Sequence, residues 1–129
     1  MAIKLPPYDL EIEKIVLGSL IANSNSLNEV RTIINEDCFY DLFHKDVFKA
    51  IKSLDDAGTA PNMMTVYNEL LKKYKIEELT RFVDITACQS FDVYDLTCVL
   101  IDKAIRRKLY FVGEKINSMA TDENSDIES

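Results

Sequence analysis

The segment Val93–Thr121, VYDLTCVLIDKAIRRKLYFVGEKINSMAT, decides the fold of this chain. It contains no proline, and its apolar residues recur at spacings of three and four, which is the pattern of an amphipathic helix. We therefore predict one uninterrupted helix over residues 93–121, with Asp92 as its N-cap residue.

This long helix has two apolar faces. The first is a continuous stripe of Tyr94, Cys98, Ile101, Ile105, Leu109, Val112, Ile116 and Met119. The second is a facet of Val93, Leu96, Leu100, Ala104 and Phe111, with Arg107 beside it. Because a helix that covers one core from one side needs a single apolar face, we expect the stripe to pack on the protein's own body. The facet with Arg107 is then the candidate interface with another protein chain.

Several shorter helices are predicted before the long one. LEIEKIVLGSLI, residues 10–21, follows the candidate N-cap Asp9, and Ser26 with Glu29 forms a capping-box pattern for a short helix through about Ile34. A third helix, ending at Gly58, has an apolar face of Val47, Phe48, Ile51 and Leu54.

Two more helices fill the interval before Asp92. Asn62 is a candidate N-cap for a helix with Val66, Leu70 and Tyr74 in line. The next segment, IEELTRFVDITACQ, is predicted as a helix with three side chains facing the core: Leu79, Phe82 and Val83.

No segment has a sustained period of two, and no hairpin dipeptide is present. The expected fold is therefore all-α: a compact bundle of about five short helices followed by one long helix. We divide the chain into a globular helical subdomain (1–92), the long helix (93–121) and an acidic tail or start of a connection (122–129).

Gly18 lies in the middle of the most apolar predicted helix. A glycine there costs about 1 kcal/mol relative to alanine. The usual compensation is the close approach of a neighbouring backbone, so we predict a structural packing role for Gly18.

The composition restricts the classes of function. The 129 residues are 47% apolar, which suits one soluble domain, and the net charge of −7 disfavours a general nucleic-acid binder. No apolar run is long enough to span a bilayer, and the N-terminus lacks a signal-peptide pattern. We expect a cytoplasmic protein with protein partners, no membrane contact and no direct contact with nucleic acid.

No catalytic, cofactor or metal site is predicted. The three glycines cannot build a phosphate loop, and the three cysteines contain no CxxC pair. A zinc site of the cysteines with His44 is conceivable, but buried thiols and a surface or partly buried histidine are the simpler interpretation. The paired carboxylates, such as Glu11 and Glu13, are expected on solvated helix surface.

One basic cluster, Lys103, Arg106, Arg107 and Lys108, remains. These four residues do not share one helix face: Arg107 lies beside the second facet and Arg106 points away. Solvated surface is the default interpretation, the rim of a protein interface is the second, and DNA contact is the third.

Together the segments resemble the N-terminal region of DnaB-type replicative DNA helicases. PPYDLEIEKIVLGSLI (residues 6–21) is similar to the opening of that family, and EDCFYDLFHKDVFKAIKSLDDAG (36–58) to its next block. NMMTVYNEL (62–70) and VLIDKAIRRKL (99–109) follow in the family's order. The family commonly has a glycine pair before the fifth helix, where this chain reads KYKIEEL, so we expect that junction to be built differently.

The resemblance implies a role without catalysis. In such helicases this domain forms the collar of a hexameric ring, arranged as a trimer of dimers, and docks primase and in some systems a helicase loader. It implies that the long helix is the first arm of a helical hairpin, and that a second arm, a linker and a motor domain follow. ATP and Mg, and the ATP-dependent unwinding, belong to that motor domain.

Two other classes stay open at this point. One is a stand-alone helical adaptor of phage or plasmid type that binds primase or a loader. The other is a small all-α enzyme or DNA-binding protein.

Overall fold

The computed structural model describes residues 5–90 and 92–122. Over these residues it is all-helical, as predicted, and contains no strand. The elements are α1 (Leu10–Ala22), α2 (Asn25–Val30), a 3-10 turn (Glu36–Cys38), α3 (Leu42–Asp56), α4 (Met63–Lys73), α5 (Leu79–Thr86) and α6 (Val93–Thr121). None of these helices has the length and apolarity needed to cross a bilayer.

Helix α1 is the central element. It begins where the Asp9 carboxylate accepts a hydrogen bond from the Ile12 N–H at 3.1 Å, as the cap prediction required. It contacts the other five helices, and Val16, Leu17 and Leu20 are fully buried. The most apolar segment of the sequence therefore forms the middle of the core.

Gly18 marks the crossing of α1 and α5. A Cβ placed at Gly18 would overlap the carbonyl oxygens of Ile85 and Cys88, at the C-terminal end of α5. The missing side chain is thus what allows the two backbones to approach.

Helices α3 and α4 have well-defined starts and ends. Asp41 caps α3 by accepting from the His44 N–H at 3.1 Å, and the chain leaves α3 through Gly58 at φ 78°. Asn62 caps α4 in a full capping box with Thr65. Among the described residues Lys75 alone has positive φ without being glycine, at 55°, in the junction where the family's glycine pair is absent.

The predicted start and end of the second helix were wrong. Helix α2 begins at Asn25 with Ser24 as its N-cap, two residues before the predicted cap Ser26, and Ser24 makes no side-chain capping bond. The helix ends at Val30, whose carbonyl accepts from both Ile33 and Ile34, and this turn brings Ile34 into the core.

The inward face of α5 was predicted correctly only in part. Phe82 is buried as expected, but Leu79 and Val83 are exposed and Ile85 takes the second core position. The reason is the close approach at Gly18, which turns the Phe82–Ile85 side of α5 toward α1.

Helix α6 covers residues 93–121, as predicted, and packs on α1, α2 and the 3-10 turn. Of the predicted acidic tail, only Asp122 is described; residues 123–129 lie outside the described part of the chain.

Candidate protein-interaction surface

The burial of the two faces of α6 is the reverse of that predicted. Four residues assigned to a partner are buried in the chain's own body, none more than 8% exposed: Val93, Leu100, Ala104 and Arg107. Leu96 also packs on the core and is half-buried, whereas Phe111 is exposed. The interface prediction is therefore wrong for the four buried residues, whereas Leu96 and Phe111 keep accessible surface.

Arg107 is a charged residue on the inward face of α6, which is why the sequence pattern did not identify this face as buried. Its guanidinium donates to the Pro7 carbonyl at 3.0 Å and to the Asp37 carbonyl at 2.8 Å. It also lies 5.7 Å from the centre of the Tyr40 ring. Since these hydrogen bonds satisfy the buried cation, a polar residue occupies the inward face where sequence patterning favours an apolar one.

The stripe that we expected to pack inward is largely exposed. Ile101 packs against the core, but Ile105, Leu109, Val112 and Ile116 are between 54% and 66% exposed. We call these four residues the outer stripe. Tyr94 continues it toward the N-terminus of α6 and is also exposed.

Three of the four outer-stripe residues, Leu109, Val112 and Ile116, lie on the exposed C-terminal part of α6. Over residues 108–121, which we call the arm, only Tyr110 and Met119 are partly buried and the others are exposed. The arm extends about 21 Å at 1.5 Å per residue. An apolar row on an exposed helix is typical of a surface that another chain covers.

A second apolar surface lies between α4 and α5. It is a groove of about 200 Å³ lined by Met63, Met64, Tyr67, Asn68, Leu79, Phe82 and Val83. Sequence reasoning missed it because Leu79 and Val83 were assigned to the core. The adjacent pair Met63–Met64 at the first turn of a helix was the available signal, since methionine is frequent on adaptable binding surfaces.

The histidine, cysteine and acidic side chains of the described ranges form no metal-binding cluster. No group of three histidine, cysteine or acidic residues could hold a metal ion there, and Cys38, Cys88 and Cys98 are free thiols. His44 is buried and lies 2.8 Å from the equally buried Glu13 carboxylate. This corrects the expectation of solvated surface for Glu13 and identifies the pair as a structural bond within the core.

Comparison with known proteins decides the family. Residues 5–91 match the sequence profile of the DnaB-like helicase N terminal domain. The chain belongs to this family. Replicative DNA helicase DnaB of Rickettsia conorii is 22% identical over 128 residues, covering 95% of this chain and 26% of that protein. DnaB of Treponema pallidum is 28% identical over 127 residues, covering 91% of this chain and 28% of that protein.

Solved structures of the DnaB family have the same fold. The N-terminal domain of DnaB helicase from Mycobacterium tuberculosis superimposes with a TM-score of 0.83 at 22% identity, covering 90% of this chain and 86% of that one. The N-terminal domain of DnaB helicase from Helicobacter pylori, described with its interactions with primase, gives 0.78 at 19% identity, covering 87% and 91%.

The chain spans 26% and 28% of the two DnaB helicases from Rickettsia conorii and Treponema pallidum. The matched region is the helical N-terminal domain, and the all-helical architecture of this chain is that of the DnaB N-terminal domain.

Proposed function

We propose that this chain is a collar domain of a hexameric replicative helicase, which assembles the ring and docks primase or a helicase loader. The observation that carries the proposal is the outer stripe, an apolar row left exposed on α6. Membership of the DnaB family supplies the replicative context.

The energetics of the outer stripe favour weak self-association of this chain. Its four side chains are about 60% exposed, so covering them contributes about 4–7 kcal/mol. Association itself costs about 4–15 kcal/mol in lost freedom. For a single pair of stripes, the free energy gained by burial is therefore close to the free-energy cost of association. A ring would be more stable, because several such contacts form together.

The proposed partners are proteins, and the chain's charge supports this. With 22 acidic and 15 basic residues, the chain repels a phosphate backbone in general. Primase is the favoured partner because the similar domain from Helicobacter pylori is described with its interactions with primase. Unwinding driven by ATP and Mg is proposed for the parent helicase, not for this domain.

Sedimentation velocity over a concentration series tests the assembly part. We expect the weight-average mass of the 129-residue chain to rise toward the high micromolar range, and Leu109→Glu on the outer stripe to reduce that rise. Leu42→Glu is the matched control, because Leu42 is an exposed leucine outside the outer stripe. A mass that stays monomeric throughout, or equal effects of both variants, would count against assembly through this surface.

Primase docking needs a separate measurement. The chain, immobilised, is titrated with purified primase of the same organism, and binding is followed at two salt concentrations. We expect saturable binding, and the same titration with single-stranded DNA should give none. Saturable DNA binding without primase binding would overturn this part of the proposal.

A further inference from the structure

A pocket of about 400 Å³ lies between the 3-10 turn, α3 and the residue that follows α4. We call it the α3 pocket. We propose that it binds a short acidic segment of a partner protein, with an apolar side chain of that segment in the pocket and its carboxylates on lysines at the mouth. The α3 pocket shares no residue with the outer stripe, so this proposal is independent of the assembly proposed above.

The inner wall of the α3 pocket is apolar and firmly held. Ile34 and Phe48 belong to the core and are only 8% and 3% exposed. The ring of Phe48 stacks on that of Phe39 with the centres 5.4 Å apart. Tyr74 is half-buried and packs against the same core. Ligand pockets in proteins measure about 300–1,000 Å³ and are lined mainly by such side chains, so the α3 pocket has room for an apolar group.

Two ion pairs lie at the mouth of this pocket. The Lys49 ammonium is 3.3 Å from the Glu36 carboxylate, and the Lys52 ammonium is 2.8 Å from the Asp56 carboxylate. All four residues line the pocket, and their side chains are between 43% and 63% exposed. Exposed ion pairs contribute little to stability, so either lysine can turn to the carboxylate of a ligand at small cost.

Two further lysines next to the pocket are not neutralised. The Lys45 ammonium donates to the backbone carbonyl of Glu36 at 3.3 Å, and the Lys73 ammonium donates to the Ser53 hydroxyl at 2.7 Å. Both acceptors are uncharged atoms of residues that line the pocket. In the part of the chain that the structure describes, neither lysine forms an ion pair. Their positive charges are therefore available to an anionic ligand.

Other carboxylates are close to the pocket but outside its lining. Burial raises the pKa of Tyr74, and the carboxylates of Glu69 and Asp46 add to this rise, yet neither of them lines the pocket. The Tyr74 hydroxyl therefore stays protonated at neutral pH and can act as a hydrogen-bond donor. A ligand at the mouth meets lysines first, on a chain whose net charge is −7.

The arrangement of the lysines favours charges spread along a peptide. Lys45, Lys49 and Lys52 follow at spacings of four and three on α3, which places them about 6 Å and 4.5 Å apart along the helix axis. Alternate residues of an extended peptide are about 6.6 Å apart. Acidic residues on both sides of one apolar residue therefore match the lysine row, while the apolar side chain enters the pocket.

A peptide titration tests the proposal on the 129-residue chain. The probe is a short synthetic peptide of aspartate and glutamate with one central phenylalanine and blocked ends. We expect saturable binding with a dissociation constant between about 10 μM and 1 mM. Amide signals of the ¹⁵N-labelled chain should shift mainly at Ile34, Lys49, Ser53 and Tyr74. Replacing the phenylalanine of the probe by alanine should weaken binding about tenfold or more.

A pair of matched double variants tests the role of charge. Lys45→Gln with Lys73→Gln removes the two charges next to the pocket, and we expect binding about fivefold weaker or more, with a smaller dependence on salt. Lys72→Gln with Lys115→Gln makes the same change of charge at two exposed lysines that do not line the pocket, and binding should change less than twofold. Circular dichroism verifies that both variants are folded.

Four results would overturn the proposal. Binding that does not saturate by about 1 mM would exclude a site for this peptide class. Shifts centred on Leu79 and Val83 would place the peptide in the α4–α5 groove instead. Equal effects of the two double variants, or no loss with the alanine probe, would show attraction of acid without use of the pocket. A single-stranded DNA oligonucleotide that gives the same shifts and displaces the peptide would assign the lysines to phosphate.

Discussion

The Glu13 carboxylate lies 2.8 Å from the His44 imidazole, and both side chains are almost completely buried. Glu13 also accepts hydrogen bonds from the backbone N–H groups of Tyr40 at 2.9 Å and Asp41 at 3.3 Å. One side chain of α1 thus fixes both the approach to α3 and its first turn. A buried carboxylate is tolerated here because several donors surround it.

Removing Glu13 should therefore be costly. Glu13→Ala leaves His44 and two backbone donors without their acceptor, and we expect a loss of about 3–5 kcal/mol in the free energy of unfolding. Glu11→Ala, on the exposed side of the same helix, should change it by less than about 0.5 kcal/mol. Urea unfolding of both variants gives the comparison; similar midpoints would show that the buried pair does not stabilise the fold.

Asp41 makes the stability of the chain sensitive to acid. Burial alone would raise its pKa, but the His44 N–H and the Arg81 guanidinium, at 3.1 Å and 2.9 Å, outweigh burial and lower it. A lowered pKa in the folded state means that the contribution to stability is complete above the unfolded value of about 3.9. This contribution to stability is lost as the pH falls through the pKa that Asp41 has in the folded state.

Asp41→Asn should accordingly reduce stability at neutral pH and flatten its decline below about pH 4. Urea unfolding at a series of pH values measures both effects. Glu114→Gln makes the same change of charge at an exposed position of the arm and serves as the control. If the stability of Asp41→Asn fell as steeply below about pH 4 as that of the unchanged chain, Asp41 would not be the source of the acid sensitivity.

Arg107 and its neighbour Arg106 should differ sharply. Arg107→Met keeps the apolar stem but removes the donors to Pro7 and Asp37, and we expect a loss of about 2–3 kcal/mol. Arg106 is exposed and pairs with Asp102 one turn earlier at 2.8 Å, so Arg106→Met should cost less than about 0.5 kcal/mol. Thermal unfolding distinguishes them, and a larger effect at Arg106 would be incompatible with the structure.

The sequence predicted the elements of this fold better than their surfaces. The caps at Asp9 and Asn62 and the extent of α6 are local features, and the structure has them as predicted. Which face of α6 turns inward depends instead on the carbonyls of Pro7 and Asp37, which are remote in sequence from Arg107. The spacing of apolar residues within one helix does not show which distant groups it contacts. Two similarly apolar faces of a helix therefore cannot be distinguished until the positions of the other helices are known.

The same limit applies to the candidate surfaces and to the buried pair. Leu79 and Val83 look like core residues from their spacing, and only the packing of α5 on α1 shows that they form an exposed groove wall. Glu13 looks like a residue that favours the positive end of a helix dipole, and only the fold brings His44 to it. Local sequence patterns predict where the helices lie in the chain, whereas contacts between distant residues decide which helix faces are buried and which are exposed.

Gly18 and Gly113 provide a test in which the same substitution has opposite effects. Both lie inside helices, where alanine is intrinsically favoured by about 1 kcal/mol. At Gly113 a Cβ would meet no atom within 4 Å, so Gly113→Ala should stabilise the chain by about 0.5–1 kcal/mol. At Gly18 it would overlap two backbone carbonyl oxygens of the α5 end, which cannot move without displacing Ile85 from the core.

We therefore expect Gly18→Ala to destabilise the chain by about 1–3 kcal/mol in spite of its better helix propensity. Thermal unfolding of the two variants measures the difference in sign directly. Because Gly113 controls for propensity, a destabilisation confined to Gly18→Ala isolates the backbone contact between α1 and α5. Stabilisation by both substitutions would mean that α5 can move away from α1 at little cost, and that Gly18 is not what holds the two helices at this separation.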